Sequence, residues 1–224
     1  MLEATVTSGN NIPGVYEVEQ RPVLRIPFES SIDAYVKIGY RDYVGASPAI
    51  GSISSRESRG GLDLSQDINI KFSDRVFSGQ EWTMMWWMYP ENAVRWHDIG
   101  STEAATTGQN TMLIQYEVRT FQGYFFINYP TGVSNSKWYR SKLTLTQNAW
   151  NHFTVTWKNG VLTSYKNGVK VATVKTRIFT GFGKYKWALA QDKNRRGTLA
   201  DLMFFNEELT QEEVKEFMAM YAEV

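Results

Sequence analysis

Hydrolysis of a glycosidic bond by two carboxylates requires a defined distance between them, and the sequence offers that spacing at one place. Retaining glycoside hydrolysis needs an acid and a nucleophile roughly 5 Å apart, which positions i and i+2 on one face of a strand provide. Glu17 and Glu19 are the only acidic pair at that spacing. They precede the first apolar strand pattern, outside any expected cleft. We therefore interpret them as a solvated edge and predict no glycosidase site.

The two histidines do not predict catalysis or metal binding either. His97 is followed by Asp98, a pair that could orient a general base, but no serine lies in a nucleophile-elbow pattern. His152 follows Trp150 by two residues, and its ring is expected to form a hydrogen bond across a sheet. Zinc needs three or four ligands, and two distant histidines in a chain without cysteine do not supply them. We expect no enzyme, no metal and no cofactor.

Aromatic and basic residues occur together in two short segments, KWYR at 137–140 and KYKW at 184–187. Aromatic faces stack on the C–H faces of sugar rings, while basic side chains bind hydroxyl and acidic groups. The candidate ligand-binding residues are Trp96, Trp138, Tyr139, Arg140, Lys184, Tyr185, Lys186 and Trp187. The alternative is that these aromatic residues only cover the ends of the fold.

The net charge of +1 conceals a strong segregation of charge along the chain. Residues 137–196 contain thirteen Lys and Arg residues and a single acid, Asp192, for a net charge of +12. Residues 1–136 carry −5, and residues 197–224 carry −6. A basic surface attracts anions and accelerates encounter with them.

Three partners fit such a basic surface: an anionic glycan, an acidic neighbouring subunit, or nucleic acid. A merely solvated face is the fourth interpretation. We expect no nucleic acid, because helix-turn-helix, zinc-finger and single-strand-binding motifs are absent from the sequence. We expect no membrane either, because no apolar run approaches the roughly 18 residues of a spanning helix.

Most of the chain predicts short strands between turn signals. Residues 82–89, WTMMWWMY, have no polar face, which is typical of a strand buried on both sides and stopped by Pro90. Asn159-Gly160 and Asn167-Gly168 each favour a type I′ turn, which predicts a three-strand meander over 150–175. Residues 45–61, rich in Ser and Gly, predict a long surface loop. Pro22 and Pro27 favour an edge position for the first strand.

One helix is predicted, at 211–221. Thr210 and Glu213 form a capping box, and the apolar stripe that follows is Val214, Phe217, Met218 and Tyr221. This stripe is expected to pack on the β-structure. Residues 1–14 are polar and contain Gly9, Asn10, Asn11, Pro13 and Gly14, which predicts an arm that is either flexible or orders on a partner.

Three segments in order resemble the laminin-G-like branch of the concanavalin A-like lectin/glucanase superfamily: the opening strands at 24–32, 61–70 and 77–90, WNHFTVTWKNGVLTSYKNGVKVATVK at 150–175, and GTLADLMFFNEELTQEEVKEFMAMY at 197–221. With the strand pattern, the resemblance implies an all-β, two-sheet antiparallel jelly-roll sandwich with one short C-terminal helix, as a single domain over 15–224. It also places Trp82, Trp86, Trp150 and Trp157 at core positions. Members often bind calcium in acidic loops. This chain departs from their pattern at Ala200 and has no dense carboxylate loop, so no calcium is expected.

A fold shared by lectins, adhesion modules and hydrolases does not specify a function. The first hypothesis is a non-catalytic lectin-like module that recognises cell-surface glycans as part of a bacteriophage virion. In that case it folds in the host cytoplasm, consistent with the absence of cysteine and of an export signal or glycosylation site. The second is a structural virion protein, decoration or cement, that binds neighbouring subunits or copies of itself. A cytoplasmic protein and a glycan hydrolase are further alternatives.

Overall fold

A computed structural model describes side chains for residues 81–91, 141–176 and 197–222, and only the backbone pairing of the other strands. The arm at 1–14 and Lys184 lie outside the described residues. The strands are β1 (Leu24–Ile26), β2 (Tyr35–Val36), β3 (Ile53–Arg56), β4 (Arg59–Asp63), β5 (Ile68–Phe72), β6 (Glu81–Pro90), β7 (Trp96–Thr102), β8 (Thr111–Glu117), β9 (Gln122–Pro130), β10 (Ser136–Thr144), β11 (Asn151–Lys158), β12 (Val161–Lys166), β13 (Val169–Lys175), β14 (Tyr185–Leu189) and β15 (Gly197–Phe205). Helix α1 spans Gln211–Met220.

The strands form two antiparallel sheets, as predicted. The nine-stranded sheet has the order β13-β12-β11-β6-β15-β1-β2, with β4 paired to both β15 and β3. The six-stranded sheet has the order β10-β9-β8-β7-β14-β5. Strand β10, an edge of the smaller sheet, lies close to β12 and β13 at the edge of the larger one. The two open edges therefore share one side of the molecule.

The centre of the nine-stranded sheet is buried on both faces. Strand β6 has apolar residues at nearly every position, so it can be covered from both sides, as its sequence predicts. On one face Trp82 stacks on Trp157 of β11, with ring centroids 6.3 Å apart, and Trp86 contacts Phe153 at 5.6 Å. Trp82, Trp86 and Trp157 are all buried, which confirms them as core residues.

Helix α1 covers the opposite face of this sheet. Val214 and Phe217 are buried against a cluster that also contains Met85, Tyr165, Met203, Phe205 and Leu209. The predicted capping box is present: the Thr210 hydroxyl accepts from the Glu213 amide, and Glu213 accepts from the Thr210 amide. The hydroxyl of Thr83 donates to the Glu207 carbonyl and accepts from the Leu209 amide, which attaches the segment before the helix to β6.

Both Asn-Gly turns form as predicted. Asn159 and Gly160 have φ values of 48° and 79°, and Asn167 and Gly168 have 49° and 72°. These left-handed conformations suit Asn and Gly, because they cost other residues steric strain. Strands β11, β12 and β13 consequently form the predicted meander at one end of the larger sheet.

Two predictions about the N-terminal half are wrong. Residues 53–56 and 59–63 form the hairpin β3–β4 where a long surface loop was expected, because Leu62 of a Ser- and Gly-rich segment pairs with Leu199 in β15. Strand β1 is not at an edge, since it pairs with β15 on one side and β2 on the other. Strand β1 spans Leu24–Ile26, and Pro22 and Pro27 lie outside the described residues.

Candidate binding surface

The predicted ligand-binding residues fall on three strands of the six-stranded sheet. Trp138, Tyr139 and Arg140 lie in β10, an edge strand. Tyr185, Lys186 and Trp187 lie in β14, and Trp96 is the first residue of β7.

The register of the sheet places the two aromatic segments at the same level along the strands. Tyr139 is opposite Ile127, Ile127 is opposite Met112, and Trp187 is opposite Thr102. Extending the β7–β8 pairing of Ser101 with Leu113 by one residue brings Thr102 opposite Met112. However, β10 and β14 are separated by three strands, or about 19 Å at a spacing of about 4.8 Å. The two segments are therefore separate parts of one sheet, too far apart to contact the same sugar ring.

The alternation of β10 divides the candidate residues between the two faces of the sheet. Ser141 and Leu143 are buried, whereas Lys142 and Thr144 are exposed. By this period of two, positions 138 and 140 fall on the strand face of Lys142, and position 139 falls on the face of Ser141. The paired register places position 186 on the face of 138, and positions 185 and 187 on the face of 139.

Position 96 is remote from the other candidates. Trp96 pairs with Glu117 of β8. Position 138 is aligned across the sheet with Thr111 of β8, six residues away from Glu117. Six residues of strand span about 20 Å. The backbone therefore groups Trp138, Arg140 and Lys186 on one face and one level of the sheet, and it separates Trp96 from them.

The open side of the molecule is strongly basic. We define the basic flank as strands β10 and β13, whose sequences SKWYRSKLT and VKVATVK contain five basic residues and no acid. Its described members Lys142, Lys170 and Lys175 are all exposed. The fold thus places part of the basic residues of segment 137–196 on two neighbouring edge strands.

Lys166 extends the basic flank at the end of β12, where it is held in place. Its ammonium group donates to the Thr146 hydroxyl at 2.9 Å. Partial burial lowers the pKa of Lys166, because desolvation disfavours the charged form. A positioned, partly desolvated ammonium group loses less conformational freedom than a free lysine when it meets an anion.

The loop between β10 and β11 is built around a buried side chain, Asn151. Its oxygen accepts from the Thr146 amide, and its NH₂ group donates to the carbonyls of Thr146 and Ala149, all at 2.8 Å. The Asn148 amide donates to the Pro90 carbonyl at 2.9 Å. These bonds hold the loop rigidly against the end of β6.

An aromatic pair that the sequence did not predict lies at this loop. Trp150, expected in the core, is only half-buried, and its ring contacts Tyr89 edge-on with centroids 5.6 Å apart. Tyr89 is also half-buried and lies near the end of β6, while Trp150 directly precedes β11. Gln147 and Asn148 precede Trp150 in the same loop, and the Asn148 amide bonds the Pro90 carbonyl next to Tyr89. The residues around Trp150 in the sequence are the same whether its ring is buried or partly exposed. The sequence therefore does not predict its exposure, which the structure of the loop shows.

The described titratable groups do not form an acid–base site. His152 is fully buried, its ring lies edge-on to Trp87 with centroids 4.9 Å apart, and its backbone bonds the Asn167 turn. Hydrogen bonding with Lys158 lowers the pKa of Glu81, the reverse of the raised pKa that a general acid requires. Within the described ranges, no group of three or more His, Asp or Glu residues could hold a metal ion.

Among the described residues, no helix is both long enough and apolar enough to cross a membrane.

Comparison with known proteins identifies the fold. The Laminin_G_3 family model, described as concanavalin A-like lectin/glucanases superfamily, matches residues 64–215. The binding domain of Paraclostridial Mosquitocidal Protein 1 is 15% identical with a TM-score of 0.70, and the match covers 90% of this chain and 52% of that one. A botulinum neurotoxin type C structure whose title describes interaction with two ganglioside molecules is 14% identical with a TM-score of 0.59, over 90% and 51% of the two chains.

A third solved structure matches this chain over almost its whole length. Domain 4 of the Geobacillus stearothermophilus arabinanase AbnA, solved with arabinotriose, is 18% identical with a TM-score of 0.60, over 88% of this chain and 97% of that one. This chain spans about half the length of the toxin binding domains. Comparison with curated protein sequences gave no match.

Proposed function

The chain belongs to the concanavalin A-like lectin/glucanase superfamily, and from this premise we propose that it is a non-catalytic glycan-binding domain that prefers anionic sugars. The observation that carries the proposal is the basic flank, where two neighbouring edge strands carry five basic residues and no acid. Sulfate, carboxylate and phosphate groups on a glycan bind Lys and Arg through charge-assisted hydrogen bonds.

The structural neighbours support glycan as the ligand class. The arabinanase domain, which is matched over 97% of its length, was solved in complex with arabinotriose. The botulinum neurotoxin type C structure, matched over 51% of its length, is described by the dependence of cell entry on interaction with two ganglioside molecules. Because identities below 20% establish only the fold, the choice of ligand in this chain rests on its own charge and aromatic residues.

Three groups of residues would share the recognition. Lys142, Lys166 and Lys175 attract the acidic groups of the glycan. The predicted residues Trp138 and Arg140 lie on β10, the same edge strand as Lys142. The Tyr89–Trp150 pair offers a partly exposed aromatic surface at the loop that Asn151 holds against the end of β6. A rigid aromatic surface binds a sugar ring at low entropic cost.

The test is a glycan array that compares sulfated, uronic and neutral glycans at low salt and at about 0.5 M salt, where the Debye length falls to about 4 Å. We expect anionic glycans to bind at low salt and to lose most of their signal at high salt. Equal binding of neutral and acidic glycans would contradict the anionic preference. No binding to any glycan class would contradict the proposed function itself.

A pair of matched variants locates the site. Lys142→Gln in the basic flank should weaken binding of an anionic glycan several-fold, whereas Lys215→Gln on α1 removes the same charge and should change it little. Lys142→Gln with Lys175→Gln should have a larger effect than either alone. Trp150→Phe reports separately on the aromatic pair, because it keeps the packing with Tyr89 but alters the stacking surface. Equal losses for Lys142→Gln and Lys215→Gln would show that only net charge matters.

Absence of catalysis is part of the proposal, and it is tested directly. Incubation with each glycan that binds should release no reducing ends and no unsaturated products over hours. If wild-type protein releases products and every binding-site variant releases the same amount, a contaminant is the source. If release decreases in the variants that bind more weakly, the proposal is overturned.

We further propose that this module works inside a larger assembly, a bacteriophage virion, where a purely structural role is the competing function. The observation that favours an assembly is the open edge of both sheets on one side. Mass spectrometry of purified virions from a host that carries the gene would detect the chain in the particle. Detection only in the host cytoplasm would contradict the virion location.

A further inference from the structure

Both turns of the meander are built from the same tetrapeptide. Residues 158–161 and 166–169 each read Lys-Asn-Gly-Val, and they contain the only Asn-Gly sequences of the chain. An asparagine followed by glycine is prone to spontaneous loss of its side-chain amide, because glycine has no Cβ to hinder attack by its backbone nitrogen. In an unfolded chain the adjacent residues largely set the rate of this reaction. The sequence alone therefore predicts equal reactivity at Asn159 and Asn167.

The backbone conformation of the two turns is also nearly the same. The φ angle is 48° at Asn159 and 49° at Asn167, and it is 79° at Gly160 and 72° at Gly168. Both asparagines are exposed. A difference in reactivity between them therefore has to come from the tertiary contacts of the two turns.

The Asn167 turn is fixed both to a neighbouring strand and to the helix. The Asn167 amide donates to the His152 carbonyl at 2.8 Å, and the Asn167 Oδ1 atom accepts from the His152 amide at 2.9 Å. A Cβ placed on Gly168 would lie 2.8 Å from Lys215 Cγ and 3.5 Å from Met218 Cε of α1. Attack on the Asn167 side chain therefore requires loss of its bond to β11 and movement of the turn against the helix.

The Asn159 turn lies at the opposite end of β12 and lacks this side-chain attachment. The Thr176 amide donates to the Gly160 carbonyl at 2.6 Å, which holds the main chain of the turn. Among the described residues, no hydrogen bond holds the Asn159 side chain. Its Cγ atom can therefore rotate toward the Gly160 nitrogen with less of the fold disturbed.

We propose that Asn159 is a site of spontaneous deamidation in the folded protein, whereas Asn167 in the identical tetrapeptide is protected by β11 and α1. The Gly160 nitrogen attacks Cγ of Asn159, the Cγ–Nδ2 bond breaks, and Nδ2 leaves as ammonia with the proton from the Gly160 nitrogen. Water then opens the resulting succinimide ring at either carbonyl, which gives aspartate or isoaspartate. The net reaction consumes water and releases ammonia, with no oxidation or reduction.

The new carboxylate would lie at one end of the basic flank. Lys175 of β13 is opposite Val161, two residues beyond Asn159. At low salt, where the Debye length exceeds about 10 Å, the negative charge reduces the positive potential at this end of β13. Isoaspartate also adds a carbon atom to the main chain of the turn, which disturbs the pairing of Lys158 with Val161.

The first test follows both sites by mass spectrometry. Folded wild-type protein is kept in mildly alkaline buffer at physiological temperature and then digested at slightly acidic pH. Trypsin cleaves between the two turns at Lys166, so Asn159 and Asn167 fall in different peptides. Because two hydrogen bonds oppose opening at Asn167, we expect Asn159 to convert at least about tenfold faster. Equal rates, faster conversion at Asn167, or an Asn159 that stays intact would each overturn the proposal.

The same measurement in guanidinium chloride separates the effect of sequence from that of the fold. The two tetrapeptides are identical, so both sites should convert at nearly equal rates in the unfolded chain. A difference that persists there would place the cause in the sequence and overturn the role of the tertiary contacts. In both conditions we expect isoaspartate beside aspartate, and aspartate alone would overturn the succinimide route.

A matched pair of methionine variants tests the protection by α1. Met218→Ala removes a side chain that lies against Gly168. It should accelerate conversion at Asn167 several-fold and leave Asn159 unchanged. Met220→Ala is the control, because Met220 is exposed and lies about 200° around the helix from Met218. No acceleration in Met218→Ala, or equal acceleration of both sites, would overturn the protection of Asn167 by the helix.

The effect on the basic flank rests on the proposed function and is measured separately. Asn159→Asp introduces the charge at once and should weaken binding of a sulfated glycan at low salt. Asn159→Gly is the control, because it permits the same φ without adding charge. Equal binding by the two variants would overturn the charge effect, while the mass measurement still decides the deamidation. A wild-type protein that binds no glycan would instead contradict the proposed function.

Discussion

Strands β11 and β13 belong to the same sheet and the same meander, yet they have opposite environments. Both are rich in β-branched residues, NHFTVTWK in β11 and VKVATVK in β13. All of β11 except its last residue is buried, whereas no residue of β13 is. The difference comes from position, since β11 lies between β12 and β6, whereas β13 is at the end of the sheet. The centre therefore supplies stability, and the edge is where we place the proposed binding of partners.

The largest expected effect tests the centre. Trp157→Ala would remove a fully buried ring that stacks on Trp82 and bonds the Thr176 hydroxyl, and it should lower the free energy of unfolding by about 3–5 kcal/mol. Val171→Ala at the exposed edge should change it by less than about 0.5 kcal/mol. Urea unfolding followed by tryptophan fluorescence and circular dichroism measures both. Similar losses in the two variants would contradict the division into centre and edge.

An intermediate effect is expected where the edge meets the helix. Gly168→Ala combines a positive φ of 72° with a Cβ only 2.8 Å from Lys215 Cγ, and it should cost about 1–3 kcal/mol. Gly160→Ala at the other Asn-Gly turn has a similar φ of 79° and should cost about 1–2 kcal/mol.

The difference between the two glycine variants, measured by thermal unfolding, isolates the contact between the turn and α1. A Gly160→Ala variant that is less stable than Gly168→Ala would show that this contact adds nothing beyond backbone strain.

The smallest expected effect concerns the rim of the larger sheet, where Lys158 lies 2.8 Å from Glu81 and 3.8 Å from Glu208. The hydrogen bond with Lys158 lowers the pKa of Glu81 below its ordinary value of 4.5. The carboxylate therefore stabilises the fold above pH 4.5 and loses that contribution as the pH falls through the lowered pKa. Both groups are about two-fifths exposed, so solvent screening keeps the contribution small.

The urea midpoint of the wild-type protein should fall slightly more between neutral and acidic pH than that of Glu81→Gln. Glycan binding at the basic flank should be the same in both. An equal decrease in the variant and the wild type would show that the ion pair does not contribute.

Local signals predicted the meander, its two turns, the double-sided burial of β6 and the capped helix. Each depends on neighbours in sequence: Asn-Gly dipeptides adopt positive φ, and Thr210 and Glu213 satisfy each other's backbone. The hairpin β3–β4 was missed because the segment is rich in Ser and Gly, and its pairing with β15 joins Leu62 to Leu199, which is more than a hundred residues away. Trp150 was misplaced because its position before β11 and its contact with Tyr89 depend on the fold and not on its neighbours in sequence.

The ligand-binding residues remain predictions, and the strand register spreads them over three strands of the smaller sheet and not at one point. Charge counting identified segment 137–196 as basic, and the fold gathers part of it on two adjacent edge strands. The separation of about 19 Å between the two aromatic segments could not be foreseen, because it depends on three strands that come from other parts of the chain.

Local geometry and composition were enough to predict the class of the fold, the turns, the helix and the segregation of charge. The packed sheets alone show which strands are edges, and therefore which of the described lysines and valines remain exposed. Strand order is a long-range property, since the same alternating pattern fits a central or an outer position. Val169 and Val171 are exposed because β13 lies at the end of the larger sheet, whereas β11, two strands further in, is buried between two neighbours.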